Sequence, residues 1–163
     1  VHLSGASGLD VLAPHARRAA LHPLMTLPSA EVGARLLVGA WWATAGDSFV
    51  GEIVAALVGH AFAVADDERA RYHAAACVAS NHVVALLAQV ERLAGAAGVP
   101  FSAFAGIVRA SVDNAFAIGP RTALTGPAAR GDLGTLERHR GAIGDRERPA
   151  YDAMVEEIRR LVS

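Results

Sequence analysis

At 163 residues, 53% of them apolar and 19% charged, the chain is long enough to bury a core of its own and too hydrophobic to be disordered. A formal charge of -1 excludes a global field for nucleic acid, and a single cysteine, Cys77, excludes an intrachain disulfide, so a cytoplasmic protein is the expectation. All 15 basic residues are arginine, which removes Schiff-base, P-loop and general-acid lysines from any chemistry the chain performs.

The first 46 residues have strand and turn character. Val1 to Leu3 is a short apolar run closed by Ser4 and Gly5, and Gly8 to Ala13 reads as a helix-like turn limited by Pro14. Ala19 to Leu21 is a second run, closed by His22-Pro23. Leu36 to Ala45, rich in Val and Trp, is a third, closed by Gly46-Asp47. This order predicts the tail of a parallel α/β sheet. No basic segment followed by an apolar one opens the chain, so no signal peptide is expected. Val1 to Leu3 reads as the end of a strand, so the expectation is a piece of a longer polypeptide.

From Asp47 the period becomes helical. Asp47 or Ser48 is expected to cap a helix running through Val58, with Phe49, Ile53, Val54 and Leu57 on one side. A longer helix follows, with Asp66 as the expected N-cap, Asp67 and Glu68 in its first turn, and Gly98 followed by Val99-Pro100 as its stop. Its uncharged stretch, Tyr72 to Val90, approaches the length of a membrane span. His73, Ser80, Asn81, His82 and Gln89 would be expensive in hydrocarbon, so a buried helix of a soluble bundle is expected, with no membrane. A third helix is predicted from Pro100 or Phe101 to Ile118, then a loop from Arg121 to Asp132. Asp132 is expected to cap a fourth helix through His139 or Arg140, and Glu147 to Leu161 makes a final amphipathic helix with Tyr151, Met154, Val155, Ile158 and Leu161 inward.

On the long helix, His73, Cys77, Ser80, Asn81 and Val84 fall at i, i+4, i+7, i+8 and i+11, one face of a 3.6-residue period. Either these polar groups are satisfied by core hydrogen bonds, or they form a cleft wall that offers an acid/base imidazole and a carboxamide to a ligand. His73 and Cys77 have the spacing of two metal ligands, but no second pair accompanies them and no metal site is expected. His22, before Pro23 at a strand end, and the Ser4-Gly5 loop would point at a common crevice beyond the strands; alternatively His22 is an ordinary strand-end residue. The loop Thr125 to Asp132 combines a hydroxyl, exposed backbone and the Arg130 guanidinium. That fork suits a carboxylate or phosphate, unless Arg130 only pairs with Asp132 or Glu137. The run Ser4-Gly5-Ala6-Ser7-Gly8 has two glycines without the G-x-G-x-x-G spacing of a dinucleotide-binding turn.

Taken together, His2-Leu3-Ser4-Gly5, Leu21-His22-Pro23-Leu24, Tyr72-His73-Ala74-Ala75-Ala76, Ala79-Ser80-Asn81, Ala123-Leu124-Thr125-Gly126-Pro127 and Arg130-Gly131-Asp132 give the chain a family likeness. In that order, over nearly its whole length, it resembles an uncharacterised oxidoreductase family with a Rossmann-like NAD(P) domain followed by an all-helical domain of unknown function 2520. The resemblance implies an architecture similar to pyrroline-carboxylate, ketopantoate and 6-phosphogluconate reductases and dehydrogenases. The expected fold is therefore mainly α: a helical bundle resembling the 6-phosphogluconate dehydrogenase C-terminal domain over residues 47–163, preceded over residues 1–46 by the last α/β part of a Rossmann-like domain.

The implied partners are NADP or NAD, whose main binding site is absent from this chain, a small anionic substrate, and a second copy joined through the helical domain. The expected function is the C-terminal portion of an NAD(P)-dependent oxidoreductase acting on a carbonyl or imine, inactive on its own. With no lysine, the proton source would be His73 or His22. Asn81 and Ser4 would orient the carbonyl, Arg130 would hold the carboxylate, and Thr125 and Asn114 are further substrate-binding candidates. Ser4 and Gly5 would touch the cofactor. The alternative is a non-catalytic helical dimerisation or ligand-binding module.

Overall fold

The computed structural model describes residues 1–163, which divide into two compact units, Val1–Val84 and Ala85–Ser163. The chain is mainly α with one small sheet.

In the first unit the sheet has strands β1 (Ala19–Pro23), β2 (Trp41–Gly46) and β3 (His60–Ala63) in the order β1-β2-β3. Val1 to Leu3 contributes a single bridge, with His2 lying parallel to Ala20. Helix α1 (Ala30–Leu36) lies between β1 and β2, and α2 (Val50–Ala56) between β2 and β3. Alternation decides the two faces of the sheet. Ala19, Leu21 and Trp42 point to one side and form the core with Ala40, Val50 and Val54, over which Leu37, Phe49 and Leu57 pack. Val50 and Val54, one helical turn apart, are the buried stripe of α2.

The opposite face is built by register. His22 pairs with Ala43, and Ala43 pairs with Phe62, so an imidazole, a methyl group and a phenyl ring line up across three strands. Helix α3 (Arg69–Cys77) packs on this row, with the Tyr72 ring edge-on to both Phe62 and His22. A π-helical turn, Val78–His82, then joins α3 to α4 (Val83–Ala96), and the division between the units falls inside α4.

Several sequence expectations are corrected. β1 and β2 run antiparallel, whereas β2 and β3 and the His2–Ala20 bridge are parallel, so the sheet is mixed. Leu36 ends helix α1 rather than opening a strand. Ser29 caps that helix by accepting from the Val32 amide, and β2 begins only at Trp41. β3 lies beyond Gly59, in the gap between two expected helices where no strand was expected. Asp66 does not cap the long helix; its carboxylate instead accepts from the Leu9 amide at 2.8 Å and ties down the first loop. The long helix is also far less buried than expected. Asp66–Ala96 is long and apolar enough to cross a bilayer, and only 6% of its apolar window is buried within the chain.

The second unit is helical. α4 stops at Gly98, where the Val99 amide reaches back to the Ala94 carbonyl at 2.9 Å. Then come α5 (Ala105–Ile118), the short α6 (Pro120–Ala123) inside what reads as loop, α7 (Leu133–Ala142) and α8 (Arg148–Val162). Asp132 caps α7, accepting from the Thr135 amide at 3.0 Å. Polar clamps hold the unit together. Gln89 donates to the Glu147 carbonyl at 2.9 Å, Arg92 grips the Glu147 carboxylate with two bonds of 2.6 and 2.9 Å, and His139 meets the Tyr151 hydroxyl at 2.7 Å. In α8, Tyr151, Val155 and Ile158 are half-buried, whereas Met154 and Leu161 are exposed, contrary to their expected inward setting.

Gly46 ends β2 with φ of +82°, and a Cβ there would run into the Arg18 carbonyl oxygen. Gly46→Ala combines that clash with a left-handed backbone and is expected to cost about 1–3 kcal/mol, read as a lowered urea midpoint.

Candidate functional site

The face of the long helix singled out by its spacing opens onto a cavity. His73, Cys77, Ser80, Asn81 and Val84 all line it, and the segment His22 to Pro28 forms the other wall; its volume is about 750 Å³. That helix face therefore borders a cavity. The π-helical turn presents Ser80 and Asn81 here. The single Ser80 hydroxyl proton is shared between the Ala76 carbonyl at 2.7 Å and, more weakly, Asn81 Oδ1 at 3.2 Å, while Asn81 itself is exposed. Extra backbone in a helix at such a place re-aims side chains that a regular helix would hold elsewhere.

Two imidazoles meet at one end of the cavity. The His22 and His73 rings are edge-on, with centroids 5.9 Å apart. Cys77 Sγ lies 3.8 Å from His73 Nδ1, a weak contact across one helical turn. Gly5 is buried against both rings: a Cβ at this position would fall 2.5 Å from His73 Cδ2 and 2.9 Å from His22 Nε2. Glycine is required there because no side chain fits between the loop and the two rings. Ser4 sits behind them. Its hydroxyl donates to Ser7 Oγ and accepts from the Ser7 amide, and it does not line the cavity.

Two residues that the sequence reading passed over complete the arrangement. Tyr72 Oη and His22 Nδ1 share a hydrogen bond of 2.7 Å. Arg69 is 0% exposed and donates through Nη2 to the Ser4 carbonyl at 2.6 Å, while its Nε and Nη1 are buried without a partner. No carboxylate pairs with it, so this is a buried positive charge held by one carbonyl, an arrangement that stability alone does not favour. Extending the helix face one turn back from His73 would have found Arg69 at i-4.

This environment sets the protonation of the pair. Burial pushes the His22 pKa down, and the neighbouring His73 and then Arg69 push it the same way. Burial pushes the Tyr72 phenol up, and Arg69 opposes that. His22 is thus kept neutral and Tyr72 keeps its proton at neutral pH. Of the remaining sequence candidates, Asn114, Thr125 and Arg130 lie in the second unit. All three are exposed, and their side chains make no hydrogen bond or ion pair within the chain.

The chain belongs to the family described as Domain of unknown function (DUF2520), whose model matches residues 38–158. No curated protein matches it. Among solved structures, the protein TM1727 from Thermotoga maritima is similar over 99% of this chain and 67% of its own, with a TM-score of 0.79 and 24% identity. The "putative NADP oxidoreductase BF3122" from Bacteroides fragilis is similar over 99% of this chain and 63% of its own, with a TM-score of 0.78 and 20% identity. At such identities the likeness shows a shared fold, and the chain spans roughly two thirds of the length of each.

The lowered His22 pKa has a stability consequence. The unfolded chain takes up this proton near the ordinary value of 6.5 and the folded chain only at lower pH. The contribution is therefore complete above that value and is lost as pH falls below it. Urea midpoints measured across the acidic range are expected to fall more steeply for the native chain than for His22→Gln.

Proposed function

We propose that this chain is the C-terminal portion of an NAD(P)-dependent oxidoreductase acting on the carbonyl or imine of a small anionic substrate. The observation that carries the reading is the convergence of His22, His73 and Asn81 on one cavity of about 750 Å³, a size that suits a small-molecule site. The shared fold with the Bacteroides protein supports it, and so does the two-thirds coverage, which leaves room in the longer relatives for a cofactor domain.

The fit to the cofactor is partial. His22, His73 and the apolar Leu24 and Met25 line a cavity that a flat ring could enter, but the chain has no phosphate-binding turn. The apolar wall of Leu24 and Met25 would border the nicotinamide end of NADP or NAD only, with the Ser4-Gly5 loop behind the two imidazoles and outside the cavity lining. When bound, the reduced cofactor would supply the hydride.

The chain's own residues would do the rest. Hydride addition to the substrate carbon moves the π electrons onto oxygen or nitrogen, and His73 would deliver the proton that neutralises it, with Asn81 donating a hydrogen bond to the same atom. NADPH fluorescence titration is expected to show binding by a longer parent protein and not by this chain alone. Binding by neither would favour the non-catalytic helical module. In the parent, His73→Ala is expected to lower turnover roughly a hundredfold or more, and unchanged turnover would remove His73 from this role.

We further infer a homodimer through the helical unit, in a cytoplasmic protein that binds neither nucleic acid nor membrane. Support comes from α5, where Phe116 is 90% and Ile107 66% exposed, and from the net charge of -1. Apolar side chains left this bare call for a cover. The polar His73, Ser80, Asn81 and His82 along the long helix make protein a better cover than lipid. Light scattering is expected to give a dimer for the native chain and a monomer for Phe116→Asp.

A further inference from the structure

We infer that Tyr72 fixes His22 as a neutral imidazole protonated at Nε2, so that the cavity is offered an N–H donor that selects a carbonyl oxygen over a protonated imine. This rests on the oxidoreductase reading for its substrate, and on geometry for the rest. The Tyr72 hydroxyl has one partner within the chain, His22 Nδ1 at 2.7 Å. A phenol that keeps its proton is a better donor than acceptor, and a neutral imidazole nitrogen is a good acceptor, so Tyr72 donates and Nδ1 carries the lone pair. The remaining proton of the neutral ring is then on Nε2.

Nε2 is the nitrogen left for a ligand. It makes no hydrogen bond within the chain, and the His22 ring lines the cavity; the Gly5 backbone packs beside it, where a Cβ would stand 2.9 Å away. The charged and titratable groups facing His22 are Tyr72, His73 and Arg69, all on α3. Its strand partner Ala43 and the Ser4-Gly5 loop bring none. The buried Arg69, with no carboxylate beside it, adds a positive charge that disfavours a second one on His22 or on a ligand. A carbonyl oxygen can accept from Nε2–H. A protonated imine has only donors to offer and adds a cation to this field. Arg69 and Tyr72 are positioning residues in this scheme: one pins the Ser4 carbonyl beside the rings and the other sets the tautomer. His22 is then the hydrogen-bond donor of the site, and His73 is left as the proton source.

The test is long-range proton–nitrogen NMR of the nitrogen-15-labelled chain, with a pH titration of His22. Near neutral pH the native protein is expected to show Nε2 protonated and Nδ1 as a hydrogen-bonded acceptor. Tyr72→Phe is expected to reveal some of the other tautomer and to raise the His22 midpoint by roughly half to one pH unit, the worth of one neutral hydrogen bond. Arg69→Met is expected to move it in the same direction. A native ring protonated at Nδ1, or a midpoint that falls in Tyr72→Phe, would overturn the inference, because Tyr72 would then be the acceptor. Should Arg69→Met fail to fold, the native spectrum and Tyr72→Phe decide alone. No cofactor enters the experiment, so a failed tautomer leaves the oxidoreductase reading standing, and a parent that never binds NADPH leaves the tautomer standing.

Discussion

The arrangement depends on a single buried guanidinium. Arg69 enters the first turn of α3 with no access to water and no carboxylate, and it spends one of its donors on the Ser4 carbonyl. That bond holds the Ser4-Gly5 loop down, Gly5 then closes on two imidazoles, and the His22 ring is left with one nitrogen on a phenol. Desolvating a charge for so little local return is costly in a core, yet it is how an electrostatic field is placed behind a cavity wall. The sheet supplies the platform. Because β2 pairs antiparallel with β1 and parallel with β3, the row from His22 through Ala43 to Phe62 stands on one face, where the Tyr72 ring can lie across it.

The helical half of the chain was legible because its punctuation is chemical. Asp132 before Leu133, Gly98 before Val99-Pro100 and Gly119 before Pro120 all act through local backbone needs, and they stop or start helices where expected. The sheet was less legible. A four-residue strand such as His60–Ala63 is too short to show an alternation, and its partner is set by α2 folding back rather than by its own residues. Strand direction is likewise a property of the path between strands, so nothing in Ala19–Pro23 or Trp41–Gly46 says that they oppose one another. The candidate site divides in the same way. The spacing of His73, Cys77, Ser80, Asn81 and Val84 survives as one cavity wall, because a helix converts spacing into a face. Arg69 and Tyr72 were missed because the charged start of the helix reads as a solvated first turn, whereas its guanidinium points into the protein.

Burial follows a pattern of its own. The sheet and α2 form an ordinary apolar core, but α5 has no buried residue, and its largest side chain, Phe116, is almost bare. The second unit is held by clamps such as Arg92 on Glu147 and Gln89 on the Glu147 carbonyl more than by apolar contact. Exposed ion pairs are individually weak, and beside the buried Ala94, Ala128 and Leu136 much of this unit's apolar surface is open to solvent. That open surface is what the proposed second copy would cover, and it is independent of any chemistry at the cavity.

The π-helical turn at Val78–His82 gives the long helix two registers. Side chains before it and after it are phased differently around one axis, because each residue of a regular helix advances about a hundred degrees and the wider turn absorbs part of that advance. Loss of one residue from this segment would restore an unbroken spiral and remove the wide turn on which Ser80 and Asn81 stand, while the helix beyond it kept close to its present azimuth. The aim of Ser80 and Asn81 is therefore set by the number of residues in this segment as much as by which residues they are.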